Sequence, residues 1–193
     1  VRMVREAKSR GLKVTAEACP HHFTLTEELT RGYNTHAKMN PPLRTWQDVQ
    51  AIKEGLRDGT IDAIATDHAP HATQEKQQEF TEAPFGIVGL ETALSLTLAL
   101  VEEGVLTIES AVEKLATGPA KAFSLNAGTL AVGAPADVAI VDPHMPWEVD
   151  PSRFRSKSRN TPFAGWKVKG RVTTTIVSGR VVFELEQPQP HAK

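Results

Sequence analysis

Cysteine is nearly absent from this sequence, because Cys19 is the only one among 193 residues. A single cysteine excludes an internal disulfide framework and a zinc site built on paired thiolates, and it favours a reducing compartment. The chain also lacks an excess of charge of one sign, with 22 basic and 23 acidic residues. This balance argues against nucleic acids and anionic membrane surfaces as partners, and leaves small molecules and other proteins.

Long hydrophobic runs and several nucleotide motifs are missing as well. No apolar run reaches the roughly 18 residues that a membrane span needs, and the first residues do not resemble a secretory signal. We therefore expect a cytoplasmic protein. The sequence has no GxGxxG, no P-loop and no GxSxG, which argues against dinucleotide binding, nucleotide binding and serine-hydrolase chemistry.

Helix-like and strand-like patterns alternate over the first hundred residues. A helical pattern covers residues 1–10 and is followed by a β-branched run at 12–18. A second helix, with Thr45 as its N-cap, precedes the nearly continuous apolar run 61–66, which is typical of a strand buried on both faces of a parallel sheet. A long apolar helix is then predicted over 86–104. This order indicates an α/β fold with parallel strands.

Two strands are too few to make a closed or well-covered sheet. The sequence also opens inside a helix and without Met. We therefore expect the chain to be the C-terminal portion of a longer protein, with the remainder of the sheet missing from this chain or supplied by another.

The pattern changes after Thr107. Residues 108–125 read as two short helices separated by a break at Gly118-Pro119, and β-like segments punctuated by Gly and Pro follow Gly128. The last of these, GRVTTTIVSGRVVFE, predicts a hairpin with Ser178-Gly179 as its turn. A small β unit therefore follows the α/β part.

Polar residues that can bind metal ions gather where the two predicted parallel strands end. The run IDAIAT is followed at once by Asp67, His68 and His71, and the segments ACPHH and HAKMNPPLR follow the preceding strand. A lone Asp after a strand usually caps a turn, but carboxyl-end loops of parallel strands converge on one mouth, which favours a site here. The simplest chemistry is a metal ion that activates water, although DHxxH alone supplies too few ligands for a catalytic zinc.

Four motifs in one order, ACPHHFTLTEE, KMNPPLR, ATDHAPH and EAPFGIVGLET, closely resemble the C-terminal portion of bacterial dihydroorotases, which belong to the amidohydrolase superfamily of cyclic amide hydrolases. The later GTLAVGAPADVAIVDP resembles the return of such chains to a small β-sandwich. The resemblance implies the last two strands of a (β/α)8 TIM-type barrel at 1–126, a small β-sandwich segment at 127–185 and a polar tail at 186–193.

The resemblance also implies an enzyme, a zinc-dependent dihydroorotase of de novo pyrimidine synthesis that reversibly converts N-carbamoyl-L-aspartate and L-dihydroorotate. Asp67 matches the residue that is both a zinc ligand and the catalytic proton shuttle. Asn40 and His71 match positions that bind the substrate, and the backbone of Phe85 and Gly86 matches another substrate contact. The complete protein is expected to hold one or two zinc ions and to form a homo-oligomer.

The other metal ligands of the family have no match in this chain, and the last of them is expected just upstream of Val1. His21 and His22 are interpreted as wall or hydrogen-bonding groups, and His68 as a neighbour that supports Asp67. We expect this chain alone to be inactive. The basic segment RFRSKSRN at 153–160 is interpreted as a solvated loop or a subunit contact.

Two alternatives remain open at this point. The first is a ring-opening enzyme of the allantoinase or hydantoinase type. The second is a noncatalytic homologue that acts as a structural partner, for example of aspartate transcarbamoylase. The intact DHAPH segment argues against the second alternative, and the missing upstream ligands argue for it.

Overall fold

The computed structural model describes residues 1–186, so the predicted polar tail lies outside the described residues apart from Glu186. None of the described helices is long and apolar enough to cross a membrane. The helices are α1 (Arg2–Ser9), α2 (Pro20–Thr24), α3 (Trp46–Arg57), α4 (Thr73–Lys76), α5 (Ala93–Glu102), α6 (Ile108–Val112) and α7 (Gly118–Ala122). The strands are β1 (Glu17–Ala18), β2 (Ala63–Ile64), β3 (Val138–Glu148), β4 (Lys167–Val177) and β5 (Arg180–Glu184).

The two predicted strands of the first part pair in parallel, as the alternation of elements indicated. Glu17 lies opposite Ala63, and Ala18 lies opposite Ile64. Each strand is only two residues long, much shorter than predicted. Residues 12–14 instead form a tight turn, in which the Val14 amide donates to the Leu12 carbonyl at 3.0 Å.

Helix α3 begins where its N-cap was predicted. The Thr45 hydroxyl accepts from the Asp48 amide at 3.3 Å, and the Asp48 carboxylate accepts from the Thr45 amide at 3.2 Å. This reciprocal capping box satisfies two amides that the first helical turn leaves without intrahelical partners. Val49 and Leu56 on the same helix are each 1% exposed and pack into the core.

Helix α5 begins at Ala93, seven residues later than the pattern predicted. The preceding residues are held in an extended arrangement instead, because Ile87 forms a parallel bridge with His68. Once it begins, the helix is buried along most of its length, as predicted. Its buried residues are Ala93, Ser95, Leu96, Thr97, Leu98 and Leu100.

The predicted break at Gly118-Pro119 is wrong. Helix α6 continues through a π-helical turn over Glu113–Thr117 directly into α7, and Pro119, which has no amide to donate, lies immediately after this turn. A glycine is needed at position 118 for a different reason. A Cβ at Gly118 would lie 2.4 Å from the carbonyl oxygen of Asp62, so the helix approaches the backbone just before β2 too closely for a side chain.

The second sheet is antiparallel, in the order β3-β4-β5. The predicted hairpin is confirmed, because Val177 pairs with Arg180 across the turn Ser178-Gly179. Both turn residues have positive φ, 49° and 75°, as the tight hairpin turn with matching twist requires. Pairing between β3 and β4 is interrupted between Asp142 and Pro146.

Helix α5 joins the second sheet to the rest of the chain. The Ser95 hydroxyl donates to the carbonyl of Gly170 in β4 at 2.8 Å, and the Trp147 indole donates to the Ser95 oxygen at 3.0 Å. Trp147 and Val168 also pack against the main core. That core combines residues from the segments after β1 and β2, from α3, α5 and α6, and from the segment between β3 and β4, with Phe23, Leu56, Ile87, Val88, Leu100, Val149 and Phe163 among its most buried members.

Gly118→Ala tests the close approach of α7 to the residue before β2. An ordinary helical Gly→Ala change stabilises a protein by up to about 1 kcal/mol. Here we expect the free energy of unfolding to fall by roughly 1–3 kcal/mol, because the new Cβ overlaps a backbone oxygen. Urea unfolding followed by circular dichroism measures the change.

The matched control is Lys121→Ala on the same helix, where an exposed side chain makes only a 4.0 Å ion pair with Glu113. This control is expected to stay within about 0.5 kcal/mol of the parent. A Gly118→Ala protein more stable than the parent would contradict the packing described for α7.

Candidate functional site

Four segments meet beyond the carboxyl ends of β1 and β2. The His22 ring nitrogen Nε2 lies 2.9 Å from the Pro41 carbonyl, which joins the segment after β1 to the loop before α3. The Ala69 amide donates to the Ile87 carbonyl at 2.8 Å, which joins the segment after β2 to the residues before α5. These contacts connect the motifs that sequence alone placed at one edge of the sheet.

Asp67 lies three residues beyond β2, with an exposed side chain and a φ of +48°. Aspartate tolerates this left-handed backbone better than most residues do. The carboxylate is within electrostatic reach of the segment after β1. Burial, assisted by the charges of Asp67 and Glu17, raises the pKa of the Cys19 thiol to about 12.

His68 forms part of the wall beside Asp67. Its Nδ1 accepts from the Gly89 amide at 3.1 Å, so the proton of the neutral ring is on Nε2, which lies 3.5 Å from the Ser156 hydroxyl. Both ring nitrogens therefore have protein partners. This arrangement agrees with a supporting role for His68 rather than a metal-binding one.

The structure brings His71, Phe85 and Gly86 together. His71 Nε2 lies 2.8 Å from the Phe85 carbonyl, which only accepts, so Nε2 carries the proton in this contact. Gly86 has a φ of +98°, and a Cβ on it would lie 2.5 Å from Cβ of Ala69. Glycine is therefore required for both conformation and space.

Asn40 is exposed and belongs to the loop of the KMNPPLR motif. Its neighbours are fixed on both sides: the Lys38 carbonyl accepts from the Gly86 amide at 2.8 Å, and the Pro41 carbonyl contacts His22. The loop that carries Asn40 is thus bonded to both the segment after β1 and the segment before α5. The roles of Asn40, Asp67, His71, Phe85 and Gly86 stay predictions.

Cys19, His21 and His22 bring atoms that can bind a metal ion within 4.8 Å of one another. His21 is 2% exposed, and its Nε2 has no hydrogen-bond partner among the described residues. Burial, together with the adjacent His22, lowers the pKa of His21 to about 3. Burial therefore favours the neutral imidazole, and the role of His21 as a wall or hydrogen-bonding group stays a prediction.

Three residues whose side chains hydrogen-bond to the loops of the candidate site were not predicted from sequence. Asn160 is 3% exposed; its amide nitrogen donates to the carbonyls of Ala69 and Gly86, and its oxygen accepts from the His71 amide. The interpretation of 153–160 as a solvated loop is therefore wrong at Asn160, and also at Phe154, which is 8% exposed and packs in the core. Lys38 and Lys76 are also buried here, at 8% and 2% exposure. A lysine is normally solvated, so no sequence signal marked these two.

Comparison with known proteins supports the resemblance on which the sequence interpretation rested. Residues 2–182 match the amidohydrolase family. The dihydroorotase of Syntrophotalea carbinolica is 60% identical over 185 residues, which cover 96% of this chain and 44% of that protein. The dihydroorotase of Geobacter metallireducens is 58% identical, with 95% and 43% covered. The predicted similarity to dihydroorotases is confirmed, and the chain spans less than half the length of these relatives.

Solved structures of hydantoinases share the fold. L-Hydantoinase (dihydropyrimidinase) from Arthrobacter aurescens superimposes with a TM-score of 0.89 at 34% identity, covering 95% of this chain and 42% of that one. D-Hydantoinase (dihydropyrimidinase) from Thermus sp. gives a TM-score of 0.86 at 29% identity, covering 94% and 42%. The predicted α/β class is confirmed by these likenesses and by the parallel pair β1-β2.

Gly86→Ala tests the close approach of residue 86 to the segment after β2. The new Cβ would overlap Ala69 and would also occupy an unfavourable φ, so we expect the free energy of unfolding to fall by roughly 2–4 kcal/mol. Adding Ala69→Gly removes the overlapping atom and is expected to recover part of this loss, which thermal unfolding of both variants measures.

Gly32→Ala is the control for backbone conformation alone, because Gly32 has a φ of +75° with no atom within 4 Å of an added Cβ. Its cost is expected to match what remains in the Gly86→Ala, Ala69→Gly double variant once the cost of Ala69→Gly alone is subtracted. No recovery in that double variant would exclude the Ala69 contact as the reason for glycine.

Proposed function

Because this chain belongs to the amidohydrolase family, we propose that it is the C-terminal part of a zinc-dependent dihydroorotase. The complete enzyme would convert N-carbamoyl-L-aspartate and L-dihydroorotate into each other in de novo pyrimidine synthesis, in the cytoplasm. The observation that carries this proposal is the position of Asp67, an exposed carboxylate just beyond β2 in a segment bonded to the His71 and Phe85 pair. Identity of 60% to a dihydroorotase along almost the whole chain supports the choice of reaction.

The proposed architecture is the end of a (β/α)8 barrel. In this proposal β1 and β2 are its seventh and eighth strands, residues 1–126 complete the barrel, and residues 127–185 belong to a small β-sandwich. Parallel pairing of β1 with β2 supports it, as do the contacts that join the segments following the two strands to the loops before α3 and α5.

Zinc is the proposed cofactor, with one or two ions in the complete protein. Carboxylate oxygens are among the ligands that zinc takes in catalytic sites. Asp67 would be the ligand that this chain contributes, and the other ligands are expected upstream of Val1. When bound, zinc supplies a Lewis acid that polarises the scissile carbonyl and makes water more acidic.

The chain's own catalytic group in this proposal is the Asp67 carboxylate. In hydrolysis it takes a proton from the attacking water as the C–O bond forms, and then delivers that proton to the ring nitrogen as the C–N bond breaks. In ring closure the same steps run in reverse. The exposed position of Asp67 leaves the carboxylate accessible to both water and the departing nitrogen.

Substrate binding is assigned to the groups around Asp67. The Asn40 amide can pair with the donor and acceptor edge of the ring. Because Nε2 of His71 is directed at Phe85, His71 can donate to the substrate carboxylate only from Nδ1, and only when that nitrogen also carries a proton. The Gly86 amide and carbonyl both have protein partners. The proposed backbone contact with the substrate is therefore assigned to the Phe85 carbonyl, which retains a second lone pair. Gly86 contributes by having no side chain, which allows the backbone to approach closely.

A second candidate is a ring-opening enzyme of the hydantoinase or allantoinase type. The observation that favours it is the TM-score of 0.89 to an L-hydantoinase at 34% identity. The higher identity to dihydroorotases places it second. A noncatalytic homologue that stabilises aspartate transcarbamoylase is a further alternative. For the enzyme itself, the proposed assembly is a homo-oligomer.

Asp67→Asn in the complete protein tests the proposed mechanism. The amide can neither take a proton from water nor hold zinc as a carboxylate does, so kcat for dihydroorotate is expected to fall roughly 10²- to 10⁴-fold, with a loss of bound zinc. Formation of N-carbamoyl-aspartate gives the rate, and elemental analysis gives the zinc content.

Asp142→Asn is the matched control, because this carboxylate oxygen only accepts from the amides of His144 and Met145 in the second sheet, and an Asn oxygen can accept them too. Parental activity in the Asp67→Asn protein would refute the assigned role. A parental protein that opens hydantoin but not dihydroorotate would favour the second candidate, and one that binds no zinc and opens neither ring would favour the noncatalytic homologue.

A further inference from the structure

Two buried lysines lie against the loop at residues 79–86, which carries Phe85 and Gly86. We propose that Lys38 and Lys76 are positioning residues, which hold this loop in the conformation that presents Phe85 to the substrate. The expected effect on substrate binding rests on the proposed function. The claim that the two lysines hold the loop rests only on the contacts of their ammonium groups.

Lys38 holds the middle of the loop. Its ammonium donates to the carbonyls of Thr81 at 2.9 Å and Ala83 at 2.6 Å. The same ammonium lies 4.6 Å from the centre of the Phe85 ring, within the range of a cation–π interaction. Because Lys38 also accepts the Gly86 amide through its own carbonyl, one residue contacts the loop at several points.

Lys76 holds the end of the loop. Its ammonium donates to the carbonyls of Pro84 at 2.8 Å and Gly86 at 3.2 Å. The backbone of Lys76 is itself fixed, because its carbonyl accepts from the Thr35 hydroxyl at 2.5 Å. Between them, the two lysines bind four carbonyls within six consecutive residues, so the loop conformation depends on both.

Within the described residues, neither ammonium group has the carboxylate partner that buried charges usually have. None of the ion pairs found within residues 1–186 includes Lys38 or Lys76. Burial and the nearby charge of Lys38 lower the pKa of Lys76 to about 8. Two buried cations without a carboxylate partner among residues 1–186 are unfavourable for stability alone, and the loop carbonyls that they bind offset this cost. This arrangement therefore indicates a requirement for one particular loop conformation.

The consequence for the reaction is a change in substrate binding rather than in chemistry. A looser loop would present the Phe85 carbonyl less often, both to the substrate and in the transition state. Loss of such uniform binding raises KM and leaves kcat nearly unchanged. A residue that acted on the proton transfer of Asp67 would instead lower kcat.

The experiment compares Lys38→Met, Lys76→Met and Lys76→Gln in the complete protein. Each Met variant is expected to raise KM for dihydroorotate at least about tenfold, with kcat within about twofold of the parent, because bonds from a charged donor are lost. Amide hydrogen exchange at residues 81–86 is expected to accelerate at least about tenfold in the same proteins. Lys76→Gln retains a neutral donor and should give smaller changes in both.

Lys53→Met is the matched control. Lys53 is 8% exposed, as Lys38 is, but it pairs with Glu103 at 2.5 Å on the α3 side of the core. Its loss is expected to lower stability without changing KM or exchange at 81–86. A general effect of removing a buried lysine would appear in this control as well.

Unchanged KM and unchanged exchange in a folded Lys38 or Lys76 variant would overturn the proposal, as would a fall in kcat without faster exchange. If the Met variants do not fold, Lys76→Gln decides by the same two measurements. Amide hydrogen exchange requires no substrate, so it tests the loop contacts independently of activity. A parental protein that fails to turn over dihydroorotate would refute the proposed function and leave the exchange test valid.

Discussion

The parallel pairing of β1 with β2 is the interaction on which the rest of the described site depends. Parallel strands leave their pairing at the same edge, so the loops that follow Ala18 and Ile64 start side by side. Asp67 and the segment at 19–22 are neighbours for this reason alone. An antiparallel pair would have sent them to opposite edges.

The loops at this edge have few strand partners, and their backbone groups are satisfied by side chains instead. Buried backbone carbonyls and amides must be paired, because leaving one unpaired costs as much as a lost hydrogen bond. Lys38, Lys76 and Asn160 provide these partners for residues 69–71 and 81–86. Hydrogen bonds from these side chains therefore hold in one conformation the loops that sequence alone would describe as irregular. Binding residues on loops need such support.

Sequence predicted the features that local physics controls. The Thr45 cap and the Ser178-Gly179 turn depend on residues within one turn of each other, and both were found as predicted. Gly118 shows the limit of such reasoning: its neighbour Pro119 suggested a break, whereas the glycine is explained by a carbonyl 56 positions earlier, that of Asp62. Contacts of this kind leave no pattern in the segment itself.

The sequence by itself determined the order of elements, the α/β class and the motifs that relate the chain to dihydroorotases, because periodicity, capping and turn chemistry are all encoded over short distances. It also predicted site roles for Asp67 and His71, which stand together in one motif. Only the tertiary structure decided that His71 contacts Phe85, that Gly86 lies against Ala69, and that Lys38, Lys76 and Asn160 hold the loop between them. The physical reason is that a buried lysine or asparagine is determined by carbonyls distant in sequence, and folding alone brings these groups together.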